Sequence, residues 1–442
     1  MKLKYMLAAG LMTATTFAQA QEWIADTIGT GMGYAQDGFY DLNATQSGMV
    51  ANNNWDLAIV TGNAFNASVR VNHVGKGKNL RVYKVSENAA EDFGTNLVAD
   101  TVGKTALENS PTIWDNGAFN QDADGPMSYG WGSYDMATHA TVGNKVYAVI
   151  NATGAYQVWI EQYIAKLDPA DRLWVFHVAN LDGTNPVTYE FVPEEFGNKF
   201  YAYFDLATGE FINREPDMDN WHLLATRYLD VYSPESPVLM STTGIVTNMT
   251  VEVATASSII ADDANYEDYT GTYDSVMNVI GGKYKHIDYT AEIPGWVVYD
   301  SLSYFIKIKK GTGAGDIWQV YFDYFPTGTG DAVDVKIGLQ KRKVYEAPTS
   351  AADVATPLNT IVLAPNPAAN GRTTLVIDAK EKLNSASVSI TDISGRVVYR
   401  GNTVINAGLQ TVQLDLSNLV AGMYFVNVAG QGWSKSQKLI IK

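Results

Sequence analysis

The sequence predicts an all-β protein made of two repeated domains and a separate small tail. Three observations carry this. Aromatic and β-branched runs recur along the chain, with 26 Tyr, 15 Phe and 10 Trp in 442 residues, and long amphipathic helical windows are scarce. Thirty-eight Gly and 14 Pro separate those runs as turns. Four landmarks also return at nearly constant spacing, the mark of an internal repeat.

The chain opens with a secretory pattern. Lys2 and Lys4 precede a short apolar stretch from Met6 to Phe17, and Ala18-Gln19-Ala20 is a small-x-small cleavage site. Residues 1–20 are therefore expected to be removed after Ala20, leaving Gln21 as the mature start. No later segment reaches the roughly 18 uninterrupted apolar residues of a membrane-spanning helix, so none is expected.

The repeat follows. Phe39-Tyr40-Asp41-Leu42 matches Tyr203-Phe204-Asp205-Leu206, and Asn54-Trp55-Asp56-Leu57 matches Asn220-Trp221-His222-Leu223. Gly130-Trp131 with Tyr134-Asp135 matches Gly295-Trp296 with Tyr299-Asp300. Tyr156 to Tyr163 aligns in type with Ile317 to Tyr324. The offsets are 164, 166, 165 and 161 residues. They predict two homologous domains, 21–194 and 197–344. Strands are expected at Val69–Val71, Leu80–Tyr83, Lys145–Ile150 and Leu173–Val178 in the first. Thr250–Ala254, Tyr304–Ile308 and Ala332–Ile337 are their counterparts in the second. One difference stands out: the first copy has a longer loop, Met136 to Gly143, which the second lacks.

Residues 345–360 are rich in Ala, Pro, Thr and Ser and read as a linker. From 361 to 442 six short strand-like runs alternate with turns such as Asn406-Ala407-Gly408 and Ala421-Gly422, a pattern that suggests a small immunoglobulin-like sandwich.

Charge divides along the same lines. The whole chain carries −16; residues 1–20 carry +2 and residues 361–442 carry +4, which leaves −22 on residues 21–360. That acidity argues against a nucleic-acid partner, because phosphate recognition needs clustered Lys and Arg. The absence of Cys removes disulfides, thiolate metal sites, iron–sulfur clusters and cysteine nucleophiles. There is no Gly-x-Ser-x-Gly elbow, His-Glu-x-x-His or phosphate-binding loop. The expectation is a protein without enzymatic activity.

Two resemblances add to this reading. In the tail, Pro365-Asn366-Pro367, Asp392-Ile-Ser-Gly395-Arg396, Leu419 to Gly422-Met423-Tyr424, and Lys435 through Lys438 to Lys442 stand in an order that resembles the type A C-terminal sorting domain of the type IX secretion system of Bacteroidetes. The resemblance implies an exported protein that engages the type IX machinery, is usually freed of its tail by a sortase-like peptidase, and is attached to the cell surface or released.

In the body, Tyr203 to Gly209, Trp55 to Ile59 and the closing strand pairs are similar to the HmuY-like haem-binding family, all-β haemophores of the same phylum. That resemblance implies a tetrapyrrole cofactor held by axial His or Met side chains. The residues suited to the part are His139, Met136 and Met127, near Trp131 and Tyr134 and all in the first copy. In the second copy Met277 and His286 are the nearest candidates, and His222 beside Trp221 reads as structural. Haem capture at the cell surface is the function so implied. Two alternatives stand beside it: a surface interaction or structural protein that kept the fold without haem, and a glycan-binding module that stacks sugars on exposed rings.

Overall fold

The computed structural model describes residues 22–441 except 45, 63–65, 126, 167, 234–235, 310–314, 328–332, 348–356, 370–371, 393–395 and 431–432. Ala20, Gly395 and Lys442, and most of the expected linker, lie outside the described residues. The fold is all-β. Among the described residues the one α-helix is the four-residue turn Ala89–Asp92, and no helix is long and apolar enough to cross a membrane. The chain divides after Ala347 into two compact units, a body and a tail.

The body holds two lobes of similar plan. In one, a five-stranded path runs Val187–Phe191, Leu173–Asn180, Ala155–Ile164, Val146–Ile150, Arg81–Ser86. In the other, the path is Ile24–Met32, Asp334–Tyr345, Ile317–Tyr324, Leu302–Ile308, Val251–Ser257. Each lobe adds a four-stranded sheet. The first is Glu210–Ile212, Tyr201–Asp205, Leu57–Val60, Val69–Val71; the second is Gln46–Ala51, Gln36–Tyr40, Leu223–Ser233, Ser236–Thr247.

The repeat is thus visible in three dimensions, but the lobes do not follow the expected boundary between 194 and 197. Each repeat lends its opening strands to the other. Tyr201–Phe204 pairs with Leu57–Val60, while Gly38–Tyr40 pairs with Leu223–Ala225. Ile24–Met32 joins the strand that ends at Tyr345. One lobe is therefore continuous, its strands running from Leu57 to Ile212, and it is inserted into a lobe assembled from both ends of the body. The two cores respect this division. Leu57, Val69, Phe119, Trp174 and Phe204 belong to one, and Ile28, Tyr40, Leu223, Tyr304 and Leu339 to the other. Strand patterning could not reveal the exchange, because pairing within a repeat and pairing between repeats set the same residue types side by side.

The junctions are built alike. The Asp56 N–H donates to Phe204 O and the His222 N–H to Tyr40 O, both at 2.8 Å. The Leu206 N–H then donates to Asp56 Oδ2 (2.9 Å) and the Leu42 N–H to His222 Nδ1 (3.2 Å). Asn72 and Asn248 donate their side-chain amides to Trp55 O and Trp221 O. Gln157 and Gln319, both fully buried mid-strand, reach backbone carbonyls of adjoining segments in the same way. Since Val158 faces Tyr147 as Val320 faces Tyr304, the closing strands correspond one residue away from the spacing that side-chain type suggests. Close approach tightens the second lobe: a Cβ at Gly38 would stand 2.2 Å from Gly29 O.

The tail is a seven-strand arrangement in the order Val397–Ile405, Leu383–Asp392, Gly422–Gly430, Trp433–Ile441, Leu358–Ala369, Arg372–Ala379, Gly408–Asp415. Its own core includes Leu375, Ile390, Val426 and Leu439. The first strand already begins at Leu358, inside the expected linker.

Asp56 is fully buried, accepts Lys78 Nζ and Asn151 Nδ2 at 2.8 Å each, and holds the Leu206 amide. Removing it leaves the buried Lys78 ammonium with Asp205 alone, 3.6 Å away. Asp56→Ala is expected to lower unfolding free energy by about 3–5 kcal/mol. His222→Ala, which removes the ring nitrogen that faces both the Leu42 N–H and Asp41 Oδ1, should lower it by about 1–3 kcal/mol. Urea denaturation of both variants checks the order.

Candidate functional site: a cationic cavity between the lobes

The two four-stranded sheets meet around a cavity of about 90 Å³. Alternation along the strands supplies its walls. Tyr201 and Tyr203 project into it from one lobe, and Leu224, Thr226 and Tyr228 from the other, while Leu223 and Ala225 turn to the core. Phe39, Trp221, Leu224, Tyr228, Val246 and Met277 form an apolar cluster at this seam, with Trp114 of the continuous lobe packed against it. The indole of Trp114 donates to Thr247 O across the seam at 2.7 Å.

Two buried guanidinium groups belong to the wall. Arg70 is satisfied by carbonyls: Nη1 donates to Ile113 O (2.7 Å) and Trp114 O (3.2 Å), and Nη2 to Ser110 O (3.0 Å). Burial lowers its pKa, and a guanidinium keeps its proton in proteins. Arg214 donates from Nη2 to Asp37 Oδ2 (2.5 Å) and Ala51 O (3.2 Å). Its Cζ lies 4.8 Å from the Tyr203 ring centre and 5.5 Å from that of Trp55. Thr226 Oγ1 donates to the other oxygen of Asp37 (2.5 Å). Two donors on these lining residues are buried without a partner: Arg214 Nε and Trp55 Nε1.

Two further groups are set by burial. His73 is held as a neutral ring. Nδ1 faces Leu80 O at 3.3 Å and Nε2 accepts the Asn109 N–H at 3.2 Å, so a second ring proton would confront a donor. Burial pushes its pKa down to about 4. Glu215 accepts the N–H groups of Phe200 (3.1 Å) and Tyr201 (3.2 Å) behind the wall, and burial pushes its carboxyl up to about 7.

The residues expected to hold haem lie elsewhere. His139 closes the hairpin Gly132–Asp135 and Ala140–Gly143 with a left-handed φ of 56°, donates its N–H to Asp135 O, and pairs Nδ1 with Tyr134 Oη at 3.0 Å. Met136 is 68% exposed and Met127 40% exposed. The Met127 carbonyl accepts the Tyr134 N–H, which sets Met127 beside this hairpin, and none of the three lines the cavity. Met277 does line it; in His286, which stacks on Tyr299, the buried Nδ1 has no partner.

In the tail, the motif residues act on the final strand. Asn366, between Pro365 and Pro367, donates to Lys438 O (2.7 Å) and accepts the Ile440 N–H (2.9 Å). Lys435 Nζ donates to Asn359 O (2.7 Å), and Gly422 pairs with Ile441.

Arg70, Arg214 and Asp37 carry no sequence signature alone. The junction correspondences set Asp37 opposite Tyr201 and Arg70 opposite Val246 in the other repeat. A charged member of a repeat pair whose partner is apolar or aromatic was the available signal.

Comparison with known proteins assigns the tail. Residues 362–442 match the family described as secretion system C-terminal sorting domain. The tail is a type IX sorting domain, and the chain is an exported, cell-surface or secreted protein. No curated protein matches the chain. Among solved structures, the crystal structure of dimeric latent PorU from Porphyromonas gingivalis is similar at 10% identity and a TM-score of 0.17. The alignment covers 94% of this chain and 34% of that one, so the chain spans about a third of its length. So low a score supports no inference about fold or role.

His73 gives a test of the cavity wall. Its folded pKa, about 4, lies below its ordinary 6.5, so the unfolded chain binds the extra proton first. The stability it contributes is complete above pH 6.5 and is lost as pH falls toward 4. Glu215 works in the opposite sense: its folded pKa of about 7 exceeds 4.5, so its contribution is complete below pH 4.5 and is lost as pH rises through 7. The two oppose each other between pH 4.5 and 6.5. In His73→Gln the acid-side loss should disappear, leaving stability that falls from pH 4.5 to 7. Urea midpoints at half-unit pH steps read this directly.

Proposed function

We propose that the exported body is a non-enzymatic binding protein whose ligand occupies the cavity between the lobes. The cavity at the seam, where Arg70, Arg214 and Asp37 stand among apolar walls, carries this reading. The same walls speak against catalysis. Asp37 is engaged on both oxygens by Arg214 and Thr226, and His73 is engaged on both nitrogens. The wall offers recognition without a free general base.

Haem capture is a second reading, favoured by one observation: His139 and Met136 are both solvent-facing on the same hairpin. The tetrapyrrole would bind there, since ligand pockets of that class run to roughly 300–1,000 Å³, well beyond the 90 Å³ between the lobes.

The experiment is a thermal-shift and tryptophan-fluorescence screen of the chain from Gln21 against haemin and a panel of small acids, sugars and amines. A solute that raises Tm in the native chain and not in Arg214→Met supports the cavity. A Soret shift lost in His139→Ala supports the hairpin instead. A folded chain indifferent to all of them overturns both and leaves an interaction protein that works through its outer faces.

A further inference from the structure

We infer that Asp56 and Lys78 join in an intramolecular isopeptide bond, an amide between the Asp56 carboxyl carbon and Lys78 Nζ. The bond needs no ligand in the cavity and lies inside the continuous lobe.

Burial brings the two groups to reaction. Lys78 Nζ stands 2.8 Å from Asp56 Oδ1, and the side chains are 7% and 0% exposed. Such a pair keeps two charges out of water, and moving one proton from Nζ to Oδ1 removes both. A neutral amine, which is a nucleophile, then lies beside a carboxylic acid. Held in contact, the two react as if at very high concentration. Other lysine–carboxylate pairs lack this setting. Lys343, which faces Asp316, is 20% exposed, and Lys341 stands 4.0 Å from Asp26.

The neighbours suit the chemistry. Asp205 Oδ2 lies 3.6 Å from Lys78 Nζ. Its other oxygen accepts the N–H groups of Ala207 and Thr208 at 2.9 Å each, which fixes the carboxylate. Asp205 is thus placed to move a proton. The Leu206 N–H donates to Asp56 Oδ2 (2.9 Å), and Asn151 Nδ2 donates to Oδ1 (2.8 Å). Asn151 is itself held, because its Oδ1 accepts the N–H groups of Thr153 and Gly154. Fixed donors therefore stand at both oxygens, where charge changes as the carbon becomes tetrahedral.

Atoms and protons balance. Nζ leaves its contact with Oδ1 and its lone pair attacks Asp56 Cγ. Asp205 takes a proton from the nitrogen and passes it to Oδ1, which departs as water. Oδ2 remains as the amide oxygen on the Leu206 N–H. One ammonium and one carboxylate become one amide and one water. Asp205 ends as it began, and no oxidant or reductant takes part.

The second repeat lacks the set. Asp41 stands at the place of Asp205, but His222 stands at the place of Asp56, with Nδ1 3.1 Å from Asp41 Oδ1. The junction is built there without a lysine–aspartate pair, so the fold of the repeat does not itself require one. In the first repeat the bond would fasten the loop that carries Lys78 to the junction at Phe204. An exported chain without Cys has no disulfide for that task.

Intact-mass spectrometry and peptide mapping of the folded chain from Gln21 test the bond. The chain should weigh one water less than its sequence. Trypsin should fail to cut after Lys78, and the peptide that carries Asp56 should appear joined to the one that carries Lys78. Lys78→Arg keeps a cation facing Asp56 and cannot form the amide, so it should show the full sequence mass. Asp205→Asn keeps both reacting groups; sampled at the same time after expression, most of it should also retain full mass. Circular dichroism establishes that both variants fold. Full sequence mass in the folded native chain would overturn the bond, and so would a lost water that mapping places at any other residue. A bond formed as completely in Asp205→Asn as in the native chain would overturn the part given to Asp205.

Discussion

Two backbone pairings hold the body together: Asp56 with Phe204, and His222 with Tyr40. A strand edge in each repeat would otherwise expose unpaired N–H and C=O groups, and buried backbone groups must find partners. Each repeat meets this demand with the opening strands of the other. The residues beside the junctions are chosen for the same task. Asp56 and His222 differ in chemistry, yet both present an acceptor to the amide two residues beyond the paired carbonyl, at Leu206 and Leu42. Where Asp56 holds the Lys78 ammonium, His222 Nδ1 has Asp41 Oδ1 at 3.1 Å.

The cavity is a by-product of that exchange. Reciprocal lending brings the two four-stranded sheets to one seam, where equivalent positions face a common space. Ala58 stands opposite Leu224 in the repeat, and both line it. Where the repeats are alike the seam is apolar. Where they have diverged, Arg70 and Asp37 introduce charge opposite Val246 and Tyr201, and Arg214 is drawn in from the loop beyond Ile212. Divergence of two copies on one scaffold thus makes a polar site out of an apolar contact, without any change to the strands that carry it.

The all-β class and the repeat were legible because aromatic and β-branched alternation is local. The sorting tail was legible because its motifs are compact: Asn366 and Lys435 make contacts that bind the first and last strands of one small domain. The lobe boundary was hidden, since Phe39-Tyr40 and Tyr203-Phe204 present nearly the same faces to either partner. The cavity was hidden for a related reason. Trp55 is plain in its motif, but Arg214 follows a three-residue strand with no periodic mark, and only the exchange brings it to Asp37. His139 and Met136 belong to the longer loop of the first copy, and Met127 lies just before it. That loop adds an outer hairpin to the sheet, beside Ala155–Ile164, and leaves the seam untouched.

The strand exchange can be tested with one covalent link. The chain has no cysteine, so a pair introduced as Ala25→Cys and Gln340→Cys has no competitor. These positions face each other in neighbouring antiparallel strands, within the reach of a disulfide. On mild oxidation the folded chain should close a monomeric link, seen as a loss of two hydrogens by intact mass and faster migration without reductant. Separate tandem domains divided between 194 and 197 would keep residues 25 and 340 apart. Free thiols in the oxidised, folded monomer would therefore contradict the exchange and the cavity that depends on it.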